Sequence, residues 1–394
     1  MKNIKAIFDI WNDSIKAVVF TNDEDEWKTS ILAKHVEPTK WLRKWKILES
    51  DEFTKCINNI IENFEKKLWP GLIDEIYVGV SHPESIVKRI IEQKRIMSDE
   101  ITANDVNHLS KVIADIAVEN NMETIKIVPV NRIIDWEKKE KDPVWLKWKK
   151  LELVADAFML PKNFYNGIIE AFSNIWLSIS DIIPNILSAS ELVLDYDHRD
   201  LWTLLIDIWK NQTSYTVYED WFPQCYGTIP VWWENVTKDI SIWMQIDIKE
   251  AEEIKKTHWT AIIDKTNIEN TALDSHFLTE IISSRYEAIF EKINNHLKLL
   301  DKDWRLAWWV VLIWWWSKLP NLDLLAKDIF KLATTPGKDV TLNLWDISSN
   351  IQFTNVLWTF VWSSKYNDWW RWLWTNIDVK KIREKTKNFF KDLF

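Results

Sequence analysis

Two stretches of this chain place an aspartate at the end of an apolar run and just before a turn: FDIWNDSIKAVVF (8–20) and LIDIWKNQTSYTVY (205–218). In each, the aspartate (Asp9, Asp207) stands two residues ahead of a tryptophan (Trp11, Trp209). A carboxylate closing a buried strand can hold a divalent cation through water. A tight turn after it brings backbone N–H groups toward a phosphate. Asn12 and Lys16 follow the first aspartate, Lys16 as a point charge for an anion, and Thr213 follows the second. Taken singly, Asp9 reads equally well as a turn residue. Two such hairpins, followed by IPVWWENVTKDISI (229–242) and VVLIWWWSKLPNL (310–322), make a set.

A turn that approaches phosphate wants glycine, because glycine alone reaches positive φ without steric cost. Here the turn positions carry tryptophan. The chain has 29 Trp and only 5 Gly in 394 residues. An average usage of about 7% would give about 28 glycines. The expectation is that most tryptophans stand where the natural polypeptide has glycine, through a UGA codon that the host reads as glycine. The alternative is a chain that is truly rich in tryptophan.

The elements that must position these residues follow from periodicity. Ile4 to Ile10 and Ile15 to Phe20 read as a β-hairpin, and 201–209 with 212–221 as a second one of the same layout. Phe53, Ile57, Ile60, Ile61 and Phe64 give 51–68 a helical stripe. Ile73 to Val80 is a strand. Residues 101–120 form an amphipathic helix with Thr102 as its cap. Strands at 124–136 and 150–160 flank a polar loop, a helix follows at 163–175, and Val310 to Ile313 is a buried strand. Two hairpin-led halves with helices imply a duplicated α/β architecture.

Bulk properties narrow the function. The net charge of −9 disfavours nucleic-acid binding. Cys56 and Cys225 are too few and too far apart for a disulfide framework or a metal site, which fits a reducing compartment. The start MKNIKAIFDI reads as a strand rather than a signal peptide, and no apolar run approaches the ~18 residues of a membrane span. His35, His82, His108, His198, His258, His276 and His296 are scattered and read as surface or core residues.

The two hairpins and the 310–322 loop resemble the phosphate-1, phosphate-2 and adenosine motifs of the actin–Hsp70–hexokinase ATPase superfamily. WLRKWKILE (41–49), the DPVWLKW run from Asp142 to Trp148 within 125–153, IPVWWENVTKDISI and EAEEIKKTHW (250–259) narrow the likeness to the FtsA family of actin-like bacterial division proteins, over nearly the whole chain. In every one of these motifs the family's glycines fall where this sequence has tryptophan. The resemblance implies an actin-like two-domain ATPase fold of duplicated ribonuclease-H-like domains with the family's inserted 1C subdomain (SHS2). It divides the chain into domain IA (1–81, 161–196 and a return at 346–372), 1C (82–160), domain IIA (197–229 and 306–345), subdomain IIB (230–305) and a linker with a terminal helix (373–394). It implies nucleotide contacts from Asp9, Trp11, Asn12, Lys16, Asp207, Trp209, Thr213, Trp232, Trp233, Glu234, Glu252, Lys255, Trp314, Trp315, Trp316 and Ser317. ATP and Mg²⁺ are the implied cofactors, with Asp9 and Asp207 holding the metal through water. Glu252 and Lys255, taken alone, are a helix pair one turn apart that solvent would suffice to explain. Two departures stand out: Lys210, Asn211 and Gln212 interrupt the Gly-rich phosphate-2 pattern, and Asn185 replaces a common acidic residue. A neutral amide is no general base, so the expected ATPase activity is weak at most.

The C-terminal stretch VKKIREKTKNFFKDLF (379–394) sets Ile382, Phe389, Phe390 and Leu393 on one helical stripe ahead of Phe394. Residues 380–394 carry +4, which leaves −13 on the remainder. That pattern reads as an interfacial membrane anchor; docking on the protein's own core is the alternative. The resemblance then implies a homopolymer that tethers the tubulin-like ring protein FtsZ to the cytoplasmic face of the membrane at the septum, with later divisome proteins as partners. A PilM-like pilus scaffold and a sugar-kinase-type enzyme are the competing readings.

Overall fold

The computed structural model describes residues 2–23, 28–39, 42–43, 46–47, 49–69, 71–135, 138–139, 143–147, 149–209, 212–229, 233–257, 273–299, 309–313, 319–337 and 353–373. They form two compact units, one of residues 1–86 with 160–360, the other of 87–159 with 361–394.

The first unit opens with an antiparallel meander, β1 (Lys2–Ile10), β2 (Ser14–Asp23) and β3 (Lys28–Pro38). The two-residue strands β4 (Leu42–Arg43) and β5 (Lys46–Ile47) pair with each other ahead of helix α1 (Ser50–Lys67) and strand β6 (Glu75–Val80). After the second unit's excursion come α3 (Lys162–Ser173), β11 (Asp181–Pro184), α4 (Asn185–Val193) and α5 (Tyr196–Asp200). Strands β6 and β11 join β1 in parallel, giving the order β11-β6-β1-β2-β3. The stripe Phe53, Cys56, Ile57, Ile60, Ile61 and Phe64 of α1 is buried.

The same plan repeats. β12 (Thr203–Ile208), β13 (Thr213–Glu219) and β14 (Phe222–Ile229) form a second meander. Helices α6 (Trp233–Met244), α7 (Ile248–Thr257) and α8 (Leu273–Leu299) lead to β15 (Trp309–Ile313), α9 (Leu322–Phe330) and β16 (Ala333–Pro336). β15 and β16 add in parallel to β12, so the order β14-β13-β12-β15-β16 repeats the first sheet. Leu204, Ile206, Ile208, Val310 and Leu312 meet Ile282, Ile289, Phe290 and Ile293 of α8 in its core. Arg199 of α5 donates to Glu191 at 2.7 Å and to the carbonyls of Ser190, Glu191 and Leu194, capping the end of α4 with positive charge.

The second unit is a sheet in the order β7-β10-β8-β9, built from β7 (Ile86–Arg95), β8 (Met122–Ile134), β9 (Lys138–Lys139) and β10 (Lys150–Pro161), with helix α2 (Ala103–Ile116). Thr102 and Asp105 close a reciprocal capping box at the start of α2. Arg89 holds the buried Asp156 with two 2.8 Å hydrogen bonds. In the first unit the last helix, α10 (Thr354–Leu373), packs through Phe360, which stacks on Phe20 of β2 at 4.1 Å. Strands β3, β7 and β14 and helix α10 are elements that periodicity alone did not single out.

Candidate functional site

The duplicated meanders set two aspartates in equivalent places. Asp9 lies one residue from the end of β1 opposite Lys16, and Asp207 one residue from the end of β12 opposite Ser214. The turns are closed alike, Trp11 N–H to the Ser14 carbonyl at 3.0 Å and Trp209 N–H to the Gln212 carbonyl at 2.8 Å. Both carboxylates are fully buried.

Asp9 is held by the first residue of α4 and the start of α10. Its Oδ1 accepts from the Asn185 amide at 3.1 Å and from the Asn355 amide at 3.4 Å. Burial pushes the Asp9 carboxyl up to about 6, against the pull of the Lys16 charge and of the Trp11, Asn185 and Asn355 donors. Burial also drives Asp207 well above the usual carboxylate range; the Trp209 donor opposes this and the Asp9 charge adds to it. The two carboxylates therefore share one electrostatic environment, costly to ionise together unless a cation is near. Among the described residues no donor meets the buried Asp207 Oδ1, Asn185 Oδ1, Asn355 Oδ1 or Gln212 Oε1. Buried oxygens of this kind are normally hydrogen-bonded. Gly79 of β6 leaves room for them, since a Cβ there would fall 2.5 Å from Asn185 Oδ1 and 2.7 Å from Thr359 Oγ1. Two carboxylates and several donor-less oxygens offer the ligand chemistry of a hydrated divalent cation, although the Trp11 and Trp209 rings take the space in front of them.

The tryptophans do not fit a phosphate. Trp11 and Trp209 are 2% and 3% exposed. Their rings stack on each other at 4.0 Å with 23° between planes. Each indole N–H donates to the aspartate two residues behind it. The space in front of both carboxylates is thus taken up by indole, and Lys16 Nζ sits 5.7 Å above the Trp11 ring.

Asp9, Trp11, Lys16, Asp207 and Trp209 come together. Asn12 lies in the first turn, its carbonyl accepting from Thr39 Oγ1 at 2.9 Å. Thr213 is buried at the start of β13. Glu252 and Lys255 form a second cluster, where buried Lys255 donates to Glu252 and to Thr237 of α6, and Thr237 donates to Glu252 at 2.7 Å. Trp233 and Glu234 lie in the first turn of α6 by backbone; their side chains, and all of Trp232, Trp314, Trp315, Trp316 and Ser317, lie outside the described residues. So do Ile382, Phe389, Phe390, Leu393 and Phe394. Sequence reasoning missed Asn355, Thr359 and Gly79. The signal for the first two was an amide and a hydroxyl one helical turn apart within an otherwise apolar run.

No family model matches the chain. Curated relatives do: the cell division protein FtsA of Bacillus subtilis is 24% identical over 342 residues, covering 82% of this chain and 76% of the relative. FtsA of Enterococcus faecalis is 24% identical over 377 residues, covering 91% and 83%. FtsA of Escherichia coli K12 is 22% identical over 324 residues, covering 77% of each. Among solved structures, a PilM–PilN type IV pilus biogenesis complex aligns with a TM-score of 0.60 at 14% identity, covering 91% of this chain and 96% of that one. MreB5 of Spiroplasma citri bound to ADP aligns with a TM-score of 0.50 at 11% identity, covering 91% and 98%.

Proposed function

We propose, on the premise that this chain is a relative of the FtsA cell-division proteins with an actin-like two-domain ATPase fold, that it is an ATP-binding polymer subunit that tethers the FtsZ ring to the membrane. The observation that carries this reading is the pair of buried aspartates, each two residues before a turn, on two sheets of identical strand order. In such a cleft Asp9 and Asp207 would hold Mg²⁺ through water, the turns would meet the phosphates, and Lys16 would add a positive charge. When bound, the nucleotide would supply phosphate charge that the cation offsets. Asn185 donates a hydrogen bond to Asp9 and, as a neutral amide, cannot act as a general base, which supports slow or negligible hydrolysis.

The assembly side of the reading rests on likeness and on surface. The second unit exposes Ile91, Met97 and Val118, with Met97 89% exposed. Apolar residues of this kind suit a contact with the next subunit along a polymer. Residues 230–305 would form the subdomain that receives the FtsZ C-terminal tail, the tail helix 379–394 would bind an anionic bilayer, and later divisome proteins would join at the septum. Among the described residues no helix is long and apolar enough to cross a membrane. A second reading, a PilM-like pilus scaffold, is favoured by the fold match to the PilM–PilN complex; the basic terminal stripe speaks for the first.

A pull-down with the FtsZ C-terminal peptide tests the assignment. Capture by the full chain, and its loss on deletion of 230–305 with retention of the fold by circular dichroism, is expected. Absence of capture by the intact chain would favour the pilus-type reading.

A further inference from the structure

Three described tryptophans occupy backbone conformations that belong to glycine, each in a different local motif. Asp220 and Trp221, at φ 52° and 75°, are the two central residues of the β13–β14 hairpin, between the paired Glu219 and Phe222. Two consecutive positive φ values define a type I′ turn, whose preferred pair is Asp-Gly. Trp176, at φ 63°, follows α3: its N–H reaches the Ser173 carbonyl at 3.0 Å, and the Leu177 N–H reaches the Phe172 carbonyl at 3.0 Å. That is a Schellman motif with Trp176 at C′, the position glycine usually takes. Trp145, at φ 74°, is the third residue of a turn closed by the Leu146 N–H on the Pro143 carbonyl at 3.2 Å. A positive φ after Pro-Val asks for glycine there too. Among the described non-glycine residues with positive φ, the others are Asn, Asp, Gln and Lys; a bulky aromatic ring is an outlier in this region.

Packing agrees with backbone. Trp176 is 96% exposed and Trp145 74% exposed, so neither ring serves the core. Trp358 is the reverse case: among the described residues it is the largest fully buried side chain and no acceptor meets its indole N–H, which a buried tryptophan normally avoids. Trp11 and Trp209 fill the cleft in front of both buried aspartates. One substitution accounts for all of these observations. Applied at all 29 tryptophans, it also brings the glycine count close to that of an ordinary chain.

We propose that glycine occupies positions 11, 145, 176, 209, 221 and 358 in the polypeptide the cell makes, a UGA codon being read as glycine. With glycine at 11 and 209 the cleft opens to the phosphate chain of a nucleoside triphosphate, met by the backbone N–H groups of the two turns. This second clause rests on the nucleotide reading above, and the first stands without it.

Two measurements separate the clauses. Tandem mass spectrometry of the protein from its native host is expected to give peptides with glycine at these positions, from genes with UGA there. Peptides with tryptophan, or UGG codons, overturn the proposal. Calorimetry with ATP and Mg²⁺ then compares the chain bearing tryptophan with a second full-length chain bearing glycine at every one of the 29 tryptophan positions. The glycine chain is expected to bind and the tryptophan chain to fail. Glycine in the native peptides together with a folded glycine chain that binds no ATP would uphold the decoding, and would overturn both the cleft clause and the nucleotide reading.

Discussion

Asp9 carries a proton problem that its surroundings set. Its ordinary value of 3.8 rises to about 6 in the fold. A raised value means the folded state holds the proton more tightly than the unfolded chain. The stabilisation from this group is therefore complete below about pH 4 and is lost as pH rises through about 6, a change of order 3 kcal/mol. Asp207 is shifted in the same direction. Chemical denaturation of the chain bearing tryptophan is expected to show Asp9→Asn gaining stability relative to the parent between pH 4 and 7, by about 1–3 kcal/mol. A parent–variant difference that stays flat across this interval would remove the shift. Trp176 offers a second test at the same scale. Glycine pays nothing for left-handed backbone, while any Cβ costs about 1–2 kcal/mol there. Trp176→Gly should raise stability by about 1 kcal/mol while Trp176→Ala, which keeps the Cβ, does not. Equal effects of the two variants would mean that the indole, and not the backbone, is the source of any gain.

At the scale of elements, hairpins and caps could be read from the sequence and edges could not. β1, β2, β12 and β13 announce themselves because their strands are buried and their ends marked by Asp and a turn. The Thr102 cap could be read because Thr102 and Asp105 bracket the first turn of an amphipathic stretch; the structure forms the box, with Asp105 accepting from the Thr102 N–H at 2.9 Å. Thr102→Ala is expected to cost about 1 kcal/mol and to speed hydrogen exchange in α2 more than in α1; equal changes in both helices would deny the cap its local role. The edge strands β3 and β7 were illegible because they carry charges on both faces, as in KTSILAKHVEP and IVKRIIEQKR, so neither shows a clean alternation. Asn355 was missed for another reason. It lies 346 residues from Asp9 in the chain, and only the fold that returns α10 to the first sheet gives its amide a purpose. The cleft was thus half legible: the aspartates through their turns, the amides that orient them only through topology.

For the whole molecule, the proposed membrane role asks how a body carrying −13 would be held at an anionic surface. The stretch 380–394 carries six basic and two acidic side chains beside Ile382, Phe389, Phe390, Leu393 and Phe394. Burial of a large apolar side chain contributes roughly 1.5–3 kcal/mol at most, and each basic residue near the surface about 1 kcal/mol. Ordering the tail into a helix offsets part of that sum, so one tail should bind reversibly and a polymer of many tails firmly, by effective concentration. The apolar and charge terms respond to different perturbations. Salt screens the second within a Debye length and leaves the first, so raising salt should weaken flotation with anionic vesicles without abolishing it. Phe389→Glu with Phe390→Glu removes apolar burial and adds two negative charges, and should release the protein into the soluble fraction. The body's own charge is untouched by either change, which makes truncation the sharper comparison. If residues 1–378 float as well as the full chain, the tail is not the anchor, and the pilus-scaffold reading, which needs no such helix, takes precedence.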